Sequence, residues 1–153
     1  MKSLSIFFLL ITIGINVSAQ NLDAKIYKAN SDNPIVIING EIMASFDMLK
    51  KLPTDHISEM NILKNQEISA TNLFPIDKQA NGIIEVKIDS QFDIKTQNEL
   101  NIFFGLNPSN NIYLNGYLIE DKDRSISRES IKKIELMQAD HISLKAPALN
   151  ITI

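Results

Sequence analysis

Apolar and polar residues follow one another along this chain in short runs that predict strands separated by tight turns. Residues 35–39 (Ile-Val-Ile-Ile-Asn) are β-branched and almost wholly apolar, the pattern of a buried strand. Asn39-Gly40 then predicts a tight turn, because both residue types tolerate positive φ, and Glu41-Ile42-Met43 returns as a hairpin arm. Ser45 reads as a helix N-cap, with Phe46, Leu49 and Leu52 at helical spacing and Pro53 as the stop. Residues 56–64 predict a strand that begins near Ile57, with Ile57 and Glu59 on one face and Ser58, Met60 and Ile62 on the other. A short helix is expected over 67–74, and Asn81-Gly82 opens a strand with Ile84, Val86 and Ile88 on one face and Glu85 and Lys87 on the other. A shorter alternating stretch, 24–29, is a further strand candidate.

The second half restates the first. Residues 96–106 predict a helix with Leu100, Phe103 and Phe104 on its buried side and Gly105 near its end. Residues 111–119 read as strand, Asn115-Gly116 turn and strand, and 121–130 as a polar connection with a helical turn. Residues 131–137 align with 57–63, placing Ile131 with Ile57, Ile134 with Met60 and Leu136 with Ile62. Residues 146–153 align with 81–88, placing Leu149, Ile151 and Ile153 with Ile84, Val86 and Ile88. Gly40 to Met60 spans 20 residues and Gly116 to Ile134 spans 18, whereas the last gap shrinks from 24 to 15. The second unit therefore lacks about one helix of chain. The expected fold is α+β: duplicated β-hairpin-(α)-β units in a small mixed sheet arrangement, with helices on one face. One unit has too few strands to bury its own apolar face, so the two are expected to pack those faces together.

The N-terminus is a separate matter. Lys2, an apolar run from Leu4 to Val17 and the small residues Ser18 and Ala19 form a signal peptide over residues 1–19, with cleavage expected between Ala19 and Gln20. Fourteen residues of helix reach about 21 Å, short of the roughly 30 Å hydrocarbon core. The expected organisation is then one unit over 20–92 and a shorter one over 93–153, joined in one compact domain. Removal of Lys2 leaves 14 basic against 18 acidic side chains, a net charge of −4. That excludes a basic stripe for nucleic acid. The chain has no cysteine, so disulfides, thiolate metal sites, cysteine nucleophiles and a lipidated cysteine are all excluded.

Residues 34–88 resemble the plug domain of TonB-dependent outer-membrane receptors. The likeness is carried by the apolar strand Pro34 to Gly40, the strand Ile57 to Lys64, the Ala70-Thr71-Asn72-Leu73-Phe74 segment and the opening Ala80-Asn81-Gly82-Ile83-Ile84. Residues 111–153 give a weaker second copy. The departures are Asn39 in place of the family's Asp, Pro75 in place of the Gly that follows its aromatic residue, and Lys78-Gln79 in place of Arg-Gly. A receptor barrel of about twenty-two strands would need far more than 153 residues. The resemblance implies a plug-like fold and a cell-envelope setting: export to the periplasm, association with the outer membrane, or secretion. It does not imply transport.

Motifs for chemistry are few. His56 and His141, beside Asp55 and Asp140, do not occupy equivalent repeat positions and read as structural or surface residues. Residues 121–132 place Asp121, Asp123 and Ser125 as a calcium loop would, but Ile126 stands where Gly is required and Lys132 where a bidentate Glu is required. Phe103, Phe104 and Met137 read as core rather than as a ligand pocket, and Asn150-Ile151-Thr152 as a strand rather than a glycosylation site. No nucleophile elbow, phosphate loop or zinc helix occurs. No cofactor and no catalysis are expected. The leading expectation is an exported, non-catalytic module that binds an envelope or outer-membrane protein, by strand addition at a free sheet edge or through its Asn-Gly turns (Asn39-Gly40, Asn81-Gly82, Asn115-Gly116). The alternatives are a periplasmic small-ligand binder with an apolar pocket between the units, and a carboxylate-based hydrolase.

Overall fold

The computed structural model describes residues 34–63, 82–140 and 144–153. The expected strand at 24–29, the helix at 67–74, Ala19, Gln20, Asn81 and His141 lie outside them.

The first half begins with a hairpin, β1 (Ile35–Ile38) and β2 (Ile42–Ser45), joined through Asn39 and Gly40, both at positive φ (+53° and +77°). Helix α1 (Phe46–Leu49) follows, capped by the Ser45 hydroxyl, which accepts from the Met48 N–H at 3.2 Å. A 3-10 turn (Thr54–His56) leads into β3 (Ile57–Leu63), and β4 (Ile83–Ile88) completes the unit. Next come β5 (Ile94–Thr96) and helix α2 (Gln97–Phe103). The second unit is β6 (Ile112–Leu114), β7 (Tyr117–Leu118), β8 (Ser125–Ser127), a 3-10 turn (Arg128–Ser130), β9 (Lys133–Met137) and β10 (Ala148–Thr152). The fold is α+β, with a six-stranded sheet in the order β3-β4-β1-β2-β8-β5 and a four-stranded sheet in the order β7-β6-β10-β9.

The two halves repeat one topology down to register. In each, the first hairpin strand lies parallel to the last strand of the unit, which pairs antiparallel with the strand before it. Ile38 pairs with Val86 and Leu114 with Ile151. Met60 pairs with Val86 and Ile134 with Ile151. These are the positions that the sequence alignment equates. One detail differs: Glu41 lengthens the first hairpin loop, so that Ile38 faces Ile42, while Leu114 faces Tyr117 directly.

The packing corrects the expectation that equivalent faces meet. Val36, Ile38, Ala44, Ile84, Val86 and Ile88 cover the outer face of the larger sheet, under Met48 and Leu49 of α1. Their counterparts Ile112, Leu114, Leu149, Ile151 and Ile153 instead enter the core between the sheets, against Ile35, Ile37, Met43 and Ile83 from the opposite face of the first unit. The units stack front to back. The reason is visible in β1, where all four side chains are buried, so the first unit offers apolar surface on both faces. The far face of the smaller sheet is covered by Leu144, packed with Tyr113, Met137 and Ala148.

A second correction concerns 121–130. The polar connection contains a buried strand, β8, which pairs in parallel with β2 and antiparallel with β5 and so extends the first unit's sheet with residues of the second. A bond from the Ser45 N–H to the Ser130 hydroxyl, 2.9 Å, adds to this stitch.

Helix α2 also departs from its expected face. Phe103 is 82% exposed, while Gln97 and Asn101 are buried with Leu100. The amide of Gln97 donates to the carbonyls of Asp121 (2.7 Å) and Arg124 (3.1 Å), and that of Asn101 to those of Pro108 (3.1 Å) and Asn110 (2.9 Å). Buried amides with such partners satisfy loop carbonyls that a phenylalanine would orphan. The helix starts in a capping box: Thr96 accepts from the Glu99 N–H, and the Glu99 carboxylate accepts from the Thr96 N–H at 2.8 Å. It ends with Gly105 at φ +71°, the Gly105 N–H on the Ile102 carbonyl and the Leu106 N–H on that of Asn101.

Thr96→Ala is expected to cost about 1 kcal/mol and to lower the melting temperature by about 3–5 °C, read by circular dichroism. The Thr96 backbone N–H, and then its hydroxyl, hold the Glu99 carboxyl below its ordinary 4.5. A lowered folded value means that the stabilisation is complete above the ordinary one and is lost as pH falls through the folded one. The advantage of the natural chain over Glu99→Gln in urea unfolding should therefore be present at pH 7 and vanish as pH drops well below 4.5. An advantage that persisted in strong acid would refute this account.

Candidate functional site

β3 is the outermost strand of the larger sheet, and among the described residues no strand pairs with its outer edge. It is seven residues long, and it lacks the proline and lysine that commonly blunt an edge. Its one irregularity is a bulge between Ile57 and Glu59, which leaves 59–63 in regular register with β4. The bulge changes the expected faces: Ile57 lies on the same side as Met60 and Ile62, opposite Ile88, Val86 and Ile84. Met60 and Ile62 are 48% and 69% exposed. The other side carries Glu59 opposite Lys87, and Asn61 opposite Glu85.

On that second side lies a groove of about 490 Å³, lined by β3, β4 and the Asn39-Gly40 turn. The Glu59 carboxylate meets the Lys87 ammonium at 2.6 Å and accepts from the Asn61 amide at 3.2 Å. The Lys87 bond, then that of Asn61, lowers the Glu59 pKa below its ordinary 4.5, and Glu59 in turn raises that of Lys87 above 10.5. Ser58 donates to the Lys87 carbonyl at 3.2 Å. Glu59, Glu85 and Asp89 against Lys87 give the lining a formal charge of −2.

The Asn-Gly turns do more than turn. After β1 ends, the Asn39 side chain continues its parallel ladder: its Nδ2 donates to the Ile88 carbonyl and its Oδ1 accepts from the Ile88 N–H, both at 2.9 Å, while its own N–H reaches Val86 O at 2.9 Å. Asn115 repeats two of these bonds in the second unit, its N–H on Ile151 O at 2.8 Å and its Oδ1 accepting from the Ile153 N–H at 3.1 Å. The amide supplies a donor and an acceptor at once, which an ionised aspartate in its place would not.

The two turns differ in what faces them. Gly116 is buried, and its N–H donates to the Asn150 carboxamide at 3.0 Å, which also reaches Glu135 at 3.4 Å. Asn150 thus closes that end. The equivalent of Asn150 is Glu85, and Gly40 is exposed at the groove. Only the first turn therefore opens onto a groove at a free edge.

Among the described residues, none of the remaining sequence candidates lines this groove. His56 bonds Ser90 at 2.9 Å on the surface. Asp140 accepts from the Leu144 N–H at 2.8 Å, and Asp121 from the Asp123 N–H at 3.0 Å and from Arg124 Nε at 2.9 Å, local turn contacts rather than ligand sets. Gly82, at φ +95°, accepts from the Ile35 N–H and sets the start of β4. Among the described residues no three His, Cys, Asp or Glu side chains gather as a metal site, and no helix is long and apolar enough to cross a membrane. A second groove, also about 490 Å³, lies between the start of α2 and Lys122, whose ammonium donates to Asn111 Oδ1 at 3.1 Å. The space between the sheets is filled by side chains, Ile37, Met43, Ile112, Leu114, Leu149 and Ile151 among them.

Sequence reasoning placed Glu59, Asn61, Glu85 and Lys87 on strands and gave them no role. The available signal was the contrast between the repeats, Glu59 against Lys133 and Glu85 against Asn150. No family model matches the chain, nor does any curated protein or solved structure.

Proposed function

We propose that this protein is an exported, non-catalytic docking module of the cell envelope that receives an extended segment of a partner protein along the free edge of β3. The observation that carries this is the edge itself: a strand with five residues in regular register, unpaired outward among the described residues, with Met60 and Ile62 exposed on one side and a groove on the other. Unpaired N–H and C=O groups supply affinity to an added strand, and alternate side chains supply selectivity. The export and envelope setting rest on residues 1–19 and on the plug-like pattern over 34–88.

The test is capture of envelope proteins by the tagged chain after crosslinking in intact cells, run with Ile62→Pro and, at the equivalent position of the other unit, Leu136→Pro. The expected result is a protein enriched by the natural chain and by Leu136→Pro but lost with Ile62→Pro, while circular dichroism shows all three folded. Equal capture by Ile62→Pro would refute strand addition at β3.

A further inference from the structure

The two sides of β3 differ so much in chemistry that they specify the strand it receives. This inference rests on the strand-addition reading above. An added strand lies about 4.8 Å from β3, and its side chains alternate between the sides, each beside a β3 neighbour at pairing distance. On one side those neighbours are Met60 and Ile62, both exposed and continuous through the sheet with Val86 and Ile84. On the other they are Glu59 and Asn61, with Glu85 behind them in the groove. The single cation of the lining, Lys87, is already engaged by Glu59, so among the described residues no cation meets the other two carboxylates, Glu85 and Asp89, and the formal charge of the lining stays at −2. An acidic residue placed there meets like charge, a neutral one leaves the field unanswered, and a lysine or arginine neutralises it.

We infer that the segment received by β3 alternates cationic and apolar residues, with its lysine or arginine side chains over Glu59 and Glu85 and its apolar side chains beside Met60 and Ile62. The second unit serves as an internal contrast. β9 is also an edge and exposes Leu136 at the position of Ile62, but it carries Lys133 in place of Glu59, and Asn150 replaces Glu85 behind it. Of these two equivalent edges only β3 has the acidic side, so the preference distinguishes β3 from β9.

The experiment titrates the full chain from Gln20 onward into fluorescent, capped heptapeptides that alternate Lys/Val, Thr/Val or Glu/Val, read by anisotropy. The expected result is that Lys/Val binds at least tenfold more tightly than Thr/Val, with Glu/Val weakest. Glu59→Gln combined with Glu85→Gln should remove the Lys/Val advantage and leave Thr/Val binding unchanged. If all three peptides bind alike, the cationic preference is wrong and strand addition stands. If a Lys/Val peptide N-methylated at alternate amides binds as tightly as its parent, attraction occurs without strand pairing and both readings fall. If no peptide binds, both fall as well.

Discussion

Asn39→Asp is expected to destabilise the folded chain by about 2 kcal/mol at pH 7, the cost of a half-buried carbonyl left without its donor. The substitution keeps the left-handed backbone, which aspartate also tolerates, and keeps an acceptor for the Ile88 N–H. What it removes is the Nδ2 donor that now lies 2.9 Å from the Ile88 carbonyl, and it puts a second acceptor in that place. Repulsion from the carbonyl raises the pKa of the new carboxyl above that of the unfolded chain, because only the protonated form can donate. A raised folded value means that the stabilising form is present at low pH and is lost as pH rises through it. The deficit relative to the natural chain should therefore shrink between pH 7 and pH 4. Asn39→Gly retains the turn and loses both side-chain bonds, so its deficit should stay constant over the same interval. Urea unfolding at the two pH values distinguishes these outcomes. Equal stability of Asn39→Asp and the natural chain at pH 7 would show that the side chain does not extend the ladder.

That bond also shows where sequence reading reaches its limit. The strands at 35–38, 57–63 and 83–88 were legible because β-branched runs closed by Gly, Pro or Asn leave few alternatives, and Asn39-Gly40 and Asn115-Gly116 anchored an alignment that the register reproduces at Val86 and Ile151. β5 and β8 were not legible. Ser125-Ile126-Ser127 is a strand because β2 and β5 lie on either side of it, and nothing within those three residues announces that. Phe103 was misassigned because apolar spacing takes no account of Gln97 and Asn101, whose amides satisfy two loops from the helix's inner face. The bulge after Ile57 reversed one face of β3, since a single unpaired residue shifts the alternation from that point on. The groove was beyond reach for a different reason. Each lining residue is an ordinary polar position of its own strand, and the site exists only where β3, β4 and the first turn converge. The edge strand and the first Asn-Gly turn, which the sequence offers as separate features, are neighbours in that groove.

Front-to-back stacking predicts the largest stability effect. Leu114 is fully buried between the sheets, paired in register with Ile151, in the same core as Ile35, Ile37 and Ile83 of the first unit. Leu114→Ala leaves a cavity bounded by both halves and is expected to cost about 4 kcal/mol, a large fraction of the roughly 5–15 kcal/mol that holds a domain together. Because the cavity borders both sheets, unfolding should remain a single transition, displaced to lower urea alike for far-ultraviolet ellipticity, which reports all strands, and for the absorbance of Tyr113 and Tyr117, which reports the second unit when Tyr27, the third tyrosine, is replaced by Phe. Ile38→Ala, at the equivalent repeat position, removes a side chain of the same size from the layer beneath α1 and tests the same cooperativity from the first unit's outer face. It too should shift both signals together, since β1 carries Ile37 into the shared core on its other side. Ile62→Ala, on the exposed side of β3, should change stability by less than about 0.5 kcal/mol. Two separated transitions in Leu114→Ala, with ellipticity retained after the tyrosine signal is lost, would mean that the larger sheet folds without the smaller one, and that the second unit is a passenger on the first rather than one wall of its core.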